Sequence, residues 1–91
     1  MDLVDHDILF YTGRVQGVGF RYTTLQVSLE YEVAGYVRNL PDGRVQLEIE
    51  GRRSELDGFV DALAGRMHGY IRKVDRTTRK SERQFDGFTI R

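Results

Sequence analysis

The chain has 91 residues, enough for one small domain, and its 14 basic and 14 acidic residues give a formal net charge of zero. That balance argues against the strongly basic surface of a nucleic-acid-binding domain, and the absence of cysteine excludes disulfides, thiol catalysis and thiolate-bound metals. The acidic first residues and the lack of a long apolar run indicate neither a signal peptide nor a membrane span, so we expect a cytoplasmic protein.

A strand and a helix are predicted on either side of a glycine-rich segment. Residues 8–12 form a β-branched and aromatic run, which predicts a buried strand. Residues 13–20 contain three glycines and lead into residues 21–31, which lack both Gly and Pro and predict a helix. The apolar stripe of this helix is thin and is formed by Leu25, Ser28, Leu29 and Glu32.

A hairpin is predicted next. Residues 33–39 have the composition of a strand, and the Pro-Asp-Gly sequence of residues 41–43 is typical of a tight turn. In residues 45–50, Val, Leu and Ile alternate with Gln, Glu and Glu. This alternation predicts a strand with one buried face and one face in solvent.

The second half of the chain predicts another helix and two further strands. Residues 56–67 carry apolar side chains at helical spacing, with Ser54 expected as the N-cap and Asp57 in a position resembling a capping box. Residues 74–83 are polar and predict an edge strand protected by its charges. Residues 88–91 predict a short final strand.

The order of these elements is strand, helix, strand, strand, helix, strand, with a short strand appended. Two βαβ-like halves joined by a hairpin predict an α+β ferredoxin-like split βαβ sandwich, in which both helices cover one face of an antiparallel sheet. We expect it to occupy residues 1–91 as a single domain. Because many unrelated functions use this fold, function has to be argued from the site.

The glycine-rich loop of residues 13–20 has the chemistry of an anion site. Glycines allow positive φ and close approach of the backbone, and a loop entering a helix directs several N–H groups at one point. Arg21 follows the loop directly, where its planar guanidinium can donate two parallel hydrogen bonds to phosphate oxygens. The glycine spacing fits neither a P-loop nor a dinucleotide-binding loop. The alternative to an anion site is that residues 13–20 form an ordinary strand-to-helix turn that binds no ligand.

Two blocks of the sequence are similar to the acylphosphatase family. Residues 13–21, Gly-Arg-Val-Gln-Gly-Val-Gly-Phe-Arg, resemble its signature, and residues 35–45 resemble its second block. The resemblance covers the whole chain and implies the same ferredoxin-like fold. It implies that Arg21 binds the phosphoryl group and that Asn39 holds the attacking water. The backbone amides implied to complete the phosphate site belong to Val15, Gln16, Gly17, Val18, Gly19 and Phe20.

The implied reaction is hydrolysis of an acyl phosphate to a carboxylate and inorganic phosphate by direct attack of water. Since the carboxylate is a good leaving group, catalysis is mainly positioning and charge stabilisation. We expect inorganic phosphate to be both product and inhibitor. We expect no cofactor and no metal, because the two histidines are far apart and no carboxylate pair suggests a metal site. The 91 residues favour a free-standing enzyme over a module of a larger protein, and we expect a monomer with no membrane partner.

Three positions depart from the pattern of the family. Gly19 stands where a bulky residue is common, which predicts a looser loop. Glu32 stands where a helix-ending glycine is frequent, so a positive φ there would cost on the order of 1 kcal/mol. Tyr36 stands where Trp is frequent, an exchange that a core tolerates.

The alternative class is a non-enzymatic binding module for RNA or a protein, since RNA-recognition domains share this fold. Such domains expose aromatic residues on their central strands in a characteristic pattern that this chain lacks. Residues 72–83 carry six basic and two acidic side chains, which favours a charged edge strand and leaves a docking patch for an acidic partner or RNA open. His6 and His68 are expected to face solvent.

Overall fold

The computed structural model describes residues 3–91, which form five strands and two helices. They are β1 (Leu3–Gly13), α1 (Phe20–Ser28), β2 (Val33–Asn39), β3 (Val45–Gly51), α2 (Arg53–Met67), β4 (Ile71–Glu82) and β5 (Phe88–Ile90). The strands make one sheet in the order β4-β1-β3-β2-β5, so β4 is an edge strand as predicted.

The predicted ferredoxin-like fold is confirmed, with one addition to the sheet. The pairs β1–β3, β1–β4 and β2–β3 are antiparallel, as the split βαβ arrangement requires. The short strand β5 instead runs parallel to β2, which makes the sheet mixed rather than wholly antiparallel. A parallel partner is possible here because residues 83–87 carry the chain from one edge of the sheet to the other before β5 begins.

The hydrophobic core lies between the sheet and the two helices. Leu9, Leu47 and Val37 are register partners on β1, β3 and β2, and all three are fully buried. They pack in one cluster with apolar side chains of α1 and α2. The predicted apolar face of α2 is confirmed, since its buried residues are Leu56, Phe59, Leu63 and Met67.

The sheet face opposite the helices, here called the open face, is more covered than its alternating sequence predicts. Gln46 is 8% exposed and Glu50 is fully buried, so the prediction of a solvent-exposed face on β3 is wrong. Residues 83–87 cross this face on their way to β5. The carboxylate of Glu50 accepts hydrogen bonds from the backbone N–H groups of Gln84 and Phe85, at 2.9 and 2.8 Å. This contact holds the crossing segment against the sheet.

His6 belongs to the same covered face, and the expectation that it faces solvent is wrong. The side chain is fully buried, with Nε2 2.7 Å from Glu48 Oε2 and Nδ1 3.2 Å from the hydroxyl of Ser81. Tyr36 donates a hydrogen bond from its hydroxyl to the other oxygen of Glu48, at 2.7 Å. His68 is exposed, as expected.

The buried face of α1 and the N-cap of α2 differ from the sequence-based prediction. The buried residues of α1 are Phe20, Thr24, Val27 and Ser28, and Leu29, assigned to the apolar stripe, is 77% exposed. Phe20 sets this orientation, because its ring packs against Tyr11 with 5.0 Å between ring centroids. The N-cap of α2 is Arg52 with no side-chain capping bond, so the assignment of Ser54 as the N-cap is wrong.

The predicted strain at Glu32 does not arise. Among residues 3–91, positive φ occurs only at glycines, so Glu32 has an ordinary backbone conformation. Tyr36 is 6% exposed, consistent with a packed aromatic residue, although it lies on the open face rather than in the main core.

Candidate active site

The loop between β1 and α1 places glycines where its backbone requires them. Gly17 has φ 77° and Gly19 has φ 80°, both in the left-handed region that favours glycine. Gly19 is the N-cap of α1 and accepts a hydrogen bond from the amide of Thr23 at 2.9 Å. Glycine at position 19 therefore fits this conformation, in which a bulky residue would be strained, and the looser loop stays a prediction.

The first turn of α1 supplies backbone donors at the end of this loop. Thr23 makes the first intrahelical bond, so the preceding amides of Phe20, Arg21 and Tyr22 have no acceptor within the helix. Their N–H groups and the helix dipole together create partial positive charge at the start of α1. Such an arrangement suits an anion.

Gln16 ties the loop to the hairpin that joins β2 and β3. Its side-chain Nε2 donates hydrogen bonds to the carbonyl oxygens of Leu40 and Arg44, at 2.8 and 2.9 Å. Gln16 was predicted to contribute only its backbone amide, so this function of its side chain is an addition to the prediction. An amide side chain between glycines and apolar residues is the only signal for it in the sequence. The consequence is that the loop is fixed relative to Asn39, which ends β2.

The other end of the loop is fixed by close backbone contact and by burial. The amide of Arg14 donates a 2.9 Å hydrogen bond to the carbonyl of Tyr70, and a β-carbon at Gly13 would lie 2.3 Å from that same oxygen. Val15 is fully buried, which anchors the middle of the loop in the core. Only glycine fits at position 13 without moving the backbone.

A pocket of about 260 Å³ lies over this loop and brings the two predicted catalytic residues together. Arg21 and Asn39 both line it, although they lie on different elements. Its complete lining is Val15, Gly17, Gly19, Phe20, Arg21, Tyr22, Asn39 and Ile90. Of the predicted loop residues, Gln16 and Val18 do not line the pocket; Gln16 is bonded to the hairpin and Val18 packs on the core.

The polar groups of Arg21 and Asn39 remain available for a ligand. Within residues 3–91 the exposed guanidinium of Arg21 forms no ion pair and no side-chain hydrogen bond. Asn39 Oδ1 is buried and accepts no hydrogen bond from the same part of the chain. A buried acceptor without a partner costs about 1–3 kcal/mol, so a bound group that donates to this oxygen would be stabilised there.

Other features of the described residues lie apart from this site. A larger pocket of about 480 Å³ lies at the opposite end of β2, where Arg52 is paired with Glu32 at 3.3 Å. In the described range no group of three or more His, Asp or Glu side chains is placed to hold a metal ion. None of the described helices is long and apolar enough to cross a membrane.

Comparison with known proteins identifies the family. The acylphosphatase family model matches residues 8–90. An acylphosphatase of Methanospirillum hungatei is 34% identical over 82 residues, which covers 90% of this chain and 88% of that protein. The crystal structure of the Bacillus subtilis acylphosphatase superposes with a TM-score of 0.85 at 31% identity, covering 94% of this chain and 97% of that one. HypF of T. kodakarensis shares the fold at 24% identity and a TM-score of 0.82, and this chain spans only 12% of it. With the match extending from β1 to β5, the chain belongs to the acylphosphatase family.

Proposed function

We propose that this protein hydrolyses acyl phosphates by direct attack of water, using Arg21 to bind the phosphoryl group and Asn39 to orient the water. The observation that carries the proposal is one pocket lined both by Arg21, whose guanidinium has no partner within residues 3–91, and by Asn39, whose buried amide oxygen has no donor in the same range. Membership in the acylphosphatase family supports an acyl phosphate as substrate and phosphate binding in this pocket.

The phosphoryl group would be held by the loop and the start of α1. The assigned donors are the backbone amides of residues 15–20 and the fork of Arg21, of which all except Gln16 and Val18 belong to residues that line the pocket. The dipole of α1 adds to the positive potential. Charge in the transition state of phosphoryl transfer spreads over the equatorial oxygens. Donors that are fixed before the reaction stabilise that charge without reorganisation, and the bonds of Gln16 fix them.

The attacking water would be oriented by Asn39. Its Oδ1 would accept a hydrogen bond from the water, which directs an oxygen lone pair of that water toward phosphorus. The amide is neutral, so it does not repel the anionic substrate. The pocket lining contains no Ser, Cys, His or carboxylate that could form a covalent intermediate, which supports direct attack.

We extend the proposal to the state in which the protein works. It acts as a single domain over residues 1–91, as a monomer in the cytoplasm, without cofactor or metal. The charged side chains along the edge strand β4 support the monomer, because like charges disfavour edge-to-edge pairing of two copies.

A nucleic-acid-binding role is not favoured. RNA-recognition domains of this fold stack bases on exposed aromatic rings of the central strands. Here Tyr36 lies beneath the guanidinium of Arg91, 4.2 Å from the ring centroid, and contacts Phe85 edge to face. Arg44 covers Phe10 in the same way, at 4.7 Å. The open face therefore lacks the uncovered rings that base stacking needs.

Substitution of Arg21 tests the proposal. With benzoyl phosphate as substrate, Arg21→Ala should lower kcat/KM by at least ~10³-fold, because the clamp for the transferring group is lost. Arg21→Lys should restore little, since a point charge cannot replace the planar fork. Arg14→Ala is the matched control, because Arg14 is an exposed arginine of the same loop that does not line the pocket.

The same assay includes a chelator and inorganic phosphate. We expect the rate to be unchanged in chelator, and we expect phosphate to inhibit competitively in the parent protein and in Arg14→Ala. Near-native turnover by Arg21→Ala would falsify the assignment of the site.

A further inference from the structure

The pocket has an apolar side that the proposed hydrolytic chemistry does not use. Tyr22 is 64% exposed and Ile90 is 40% exposed, and both line the pocket that contains Arg21 and Asn39. Single exposed apolar side chains are common on protein surfaces, so the informative observation is that two of them line the same pocket as the polar groups. Their position beside a polar site points to a ligand with one charged end and one apolar end.

The charges of the pocket indicate which end of the substrate lies where. Arg21 is the only ionisable side chain with a permanent charge in the lining, and it is assigned to the phosphoryl group. The lining contains no second cation for a charged acyl group and no carboxylate for an amino group. The surfaces left for the acyl group are the ring of Tyr22 and the side chain of Ile90.

Both apolar side chains are held by regular secondary structure. Tyr22 belongs to the first turn of α1, one residue after Arg21. Ile90 lies on β5 as the register partner of Val37, and the next amide, that of Arg91, donates a 2.9 Å hydrogen bond to the carbonyl of Val37. The backbone positions of both side chains are therefore fixed before substrate binds, which lowers the entropic cost of using them for recognition.

We propose that this site selects acyl phosphates whose acyl group is apolar and about the size of one ring, through contact with Tyr22 and Ile90. This inference rests on the proposed hydrolase function and names the substrate class of that site. The pocket volume of about 260 Å³ falls below the ~300–1,000 Å³ of sites for drug-sized ligands, which suits a phosphoryl group with a compact acyl group.

The test compares two substrates, benzoyl phosphate and acetyl phosphate, in the same variants. Taking the ratio of variant to parent kcat/KM for each substrate cancels their different intrinsic reactivities. Tyr22→Ala and Ile90→Ala should each lower kcat/KM for benzoyl phosphate by about 10-fold, the lower end for loss of apolar contact in a binding pocket. Both should leave kcat/KM for acetyl phosphate within about twofold and leave the inhibition constant of inorganic phosphate unchanged.

Three further variants complete the design. Tyr22→Phe keeps the ring and should retain the preference for benzoyl phosphate; loss equal to that of Tyr22→Ala would show that the hydroxyl matters and would overturn the inference. Leu29→Ala removes an apolar side chain that is 77% exposed at the end of α1, outside the pocket. It should leave kcat/KM unchanged for both substrates. Ile90→Val, which keeps a β-branched residue on β5, should show a smaller loss in the same direction.

The outcomes separate the inference from the function on which it rests. Suppose that the parent protein hydrolyses both substrates. If the Tyr22→Ala and Ile90→Ala variants then lose kcat/KM equally for both substrates, or lose it for neither, acyl selection by these side chains is wrong and the hydrolase function stands. If the parent hydrolyses neither substrate, the proposed function fails and the inference fails with it.

Discussion

At the scale of single residues, Asn39 and Tyr11 share one property, a buried polar atom without a hydrogen-bond partner among the described residues. They differ in position. Burial raises the pKa of the Tyr11 hydroxyl, and this group lies outside the lining of the pocket, so it stays neutral in the core. Asn39 lines the pocket that Arg21 also lines, and we assign its unpaired oxygen as the acceptor for the reacting water.

The different roles proposed for Asn39 and Arg21 give a prediction that separates phosphate binding from turnover. Asn39→Ala should lower kcat by ~10²–10³-fold, the usual effect of losing one preorganised polar contact, and should leave the affinity for inorganic phosphate nearly unchanged. Arg21→Ala should lower kcat and should also weaken the binding of inorganic phosphate. The measurements are phosphate binding by calorimetry together with kcat and KM for each variant.

Two results would contradict these separate roles of Asn39 and Arg21. If Asn39→Ala loses as much phosphate affinity as Arg21→Ala, then Asn39 is part of the anion clamp. If kcat is unchanged in Asn39→Ala, another group holds the water.

The site residues differ in how much of their role the sequence could predict. Arg21 and Asn39 lie in recognisable blocks of sequence, and the structure places both in one pocket. The side-chain role of Gln16 depends on two carbonyl groups more than 20 residues away, and local sequence gives no information about them. Ile90 reaches the pocket only through the parallel pairing of β5 with β2, which hydrophobic alternation does not specify.

At the scale of elements, α2 contains two interior glycines in different surroundings. A β-carbon at Gly65 would meet nothing within 4 Å, whereas one at Gly58 would lie 2.7 Å from the ring of Tyr31. That ring packs toward Phe59, with 6.3 Å between centroids, so it cannot move without loss of contact. Gly58 therefore permits the close approach of this ring to α2, and Gly65 has no such role.

Gly65→Ala should raise the free energy of unfolding by about 0.5–1 kcal/mol, because alanine has the higher helix propensity and restricts the unfolded chain. In a domain of this size 1 kcal/mol corresponds to a rise in Tm of about 4–8 °C. Gly58→Ala should lower Tm, since displacement of Tyr31 outweighs the gain in propensity. Urea and thermal unfolding of both variants provide the measurement, and equal stabilisation by both would contradict the packing argument.

Asp7 joins three elements through a buried ionic cluster. Its side chain on β1 is fully buried; the fork of Arg53 on α2 binds it at 2.8 and 2.9 Å, and Arg76 on β4 approaches to 2.7 Å. Burial on its own would raise the pKa of Asp7, but the hydrogen bonds from the two arginines outweigh it and hold the pKa below its usual 3.8. Asp57, expected as a capping residue, instead accepts hydrogen bonds from the same two arginines.

The lowered pKa of Asp7 predicts an acid-dependent loss of stability. The unfolded chain takes up this proton near pH 3.8 and the folded chain only at lower pH, so the stabilisation is complete above pH 3.8 and is lost as the pH falls through the folded-state pKa. Asp7→Asn should be less stable at pH 7 by about 1–3 kcal/mol, because it removes charged hydrogen bonds to two partly exposed arginines that still bind Asp57. That difference should narrow as the pH falls toward 2.

Denaturant titrations of both proteins between pH 7 and pH 2 measure this effect. Asp61→Asn is the control, because Asp61 is an exposed carboxylate of α2 with no ion pair among the described residues. A stability difference for Asp7→Asn that stays constant over the whole pH range would show that Asp7 does not titrate as described.

At the scale of the whole molecule, the sequence predicted the order and type of the elements but not how the open face is covered. The alternation of Val45, Leu47 and Ile49 with polar residues correctly identifies the core side of β3. It cannot show that the polar side is also buried, because the covering segment is more than 30 residues away in the chain. Glu50 is buried only because residues 84 and 85 supply two amide donors for its carboxylate.

The pairing of β1 with β4 has a consequence for the time course of synthesis. Leu3 pairs with Glu82 and Gly13 with Ile71, so β1 obtains its outer partner only when β4 is made, after β2, β3 and both helices. At roughly 5–20 residues per second, the ~70 residues between the ends of the two strands take about 3–14 s to translate. A nascent chain that already holds β3 against one side of β1 still presents the other side, including Leu9 and Tyr11, as an unpaired edge. A delay between the emergence of β3 and that of β4 therefore prolongs the interval in which two nascent copies can pair through β1, and pairing with the charged strand β4 ends it.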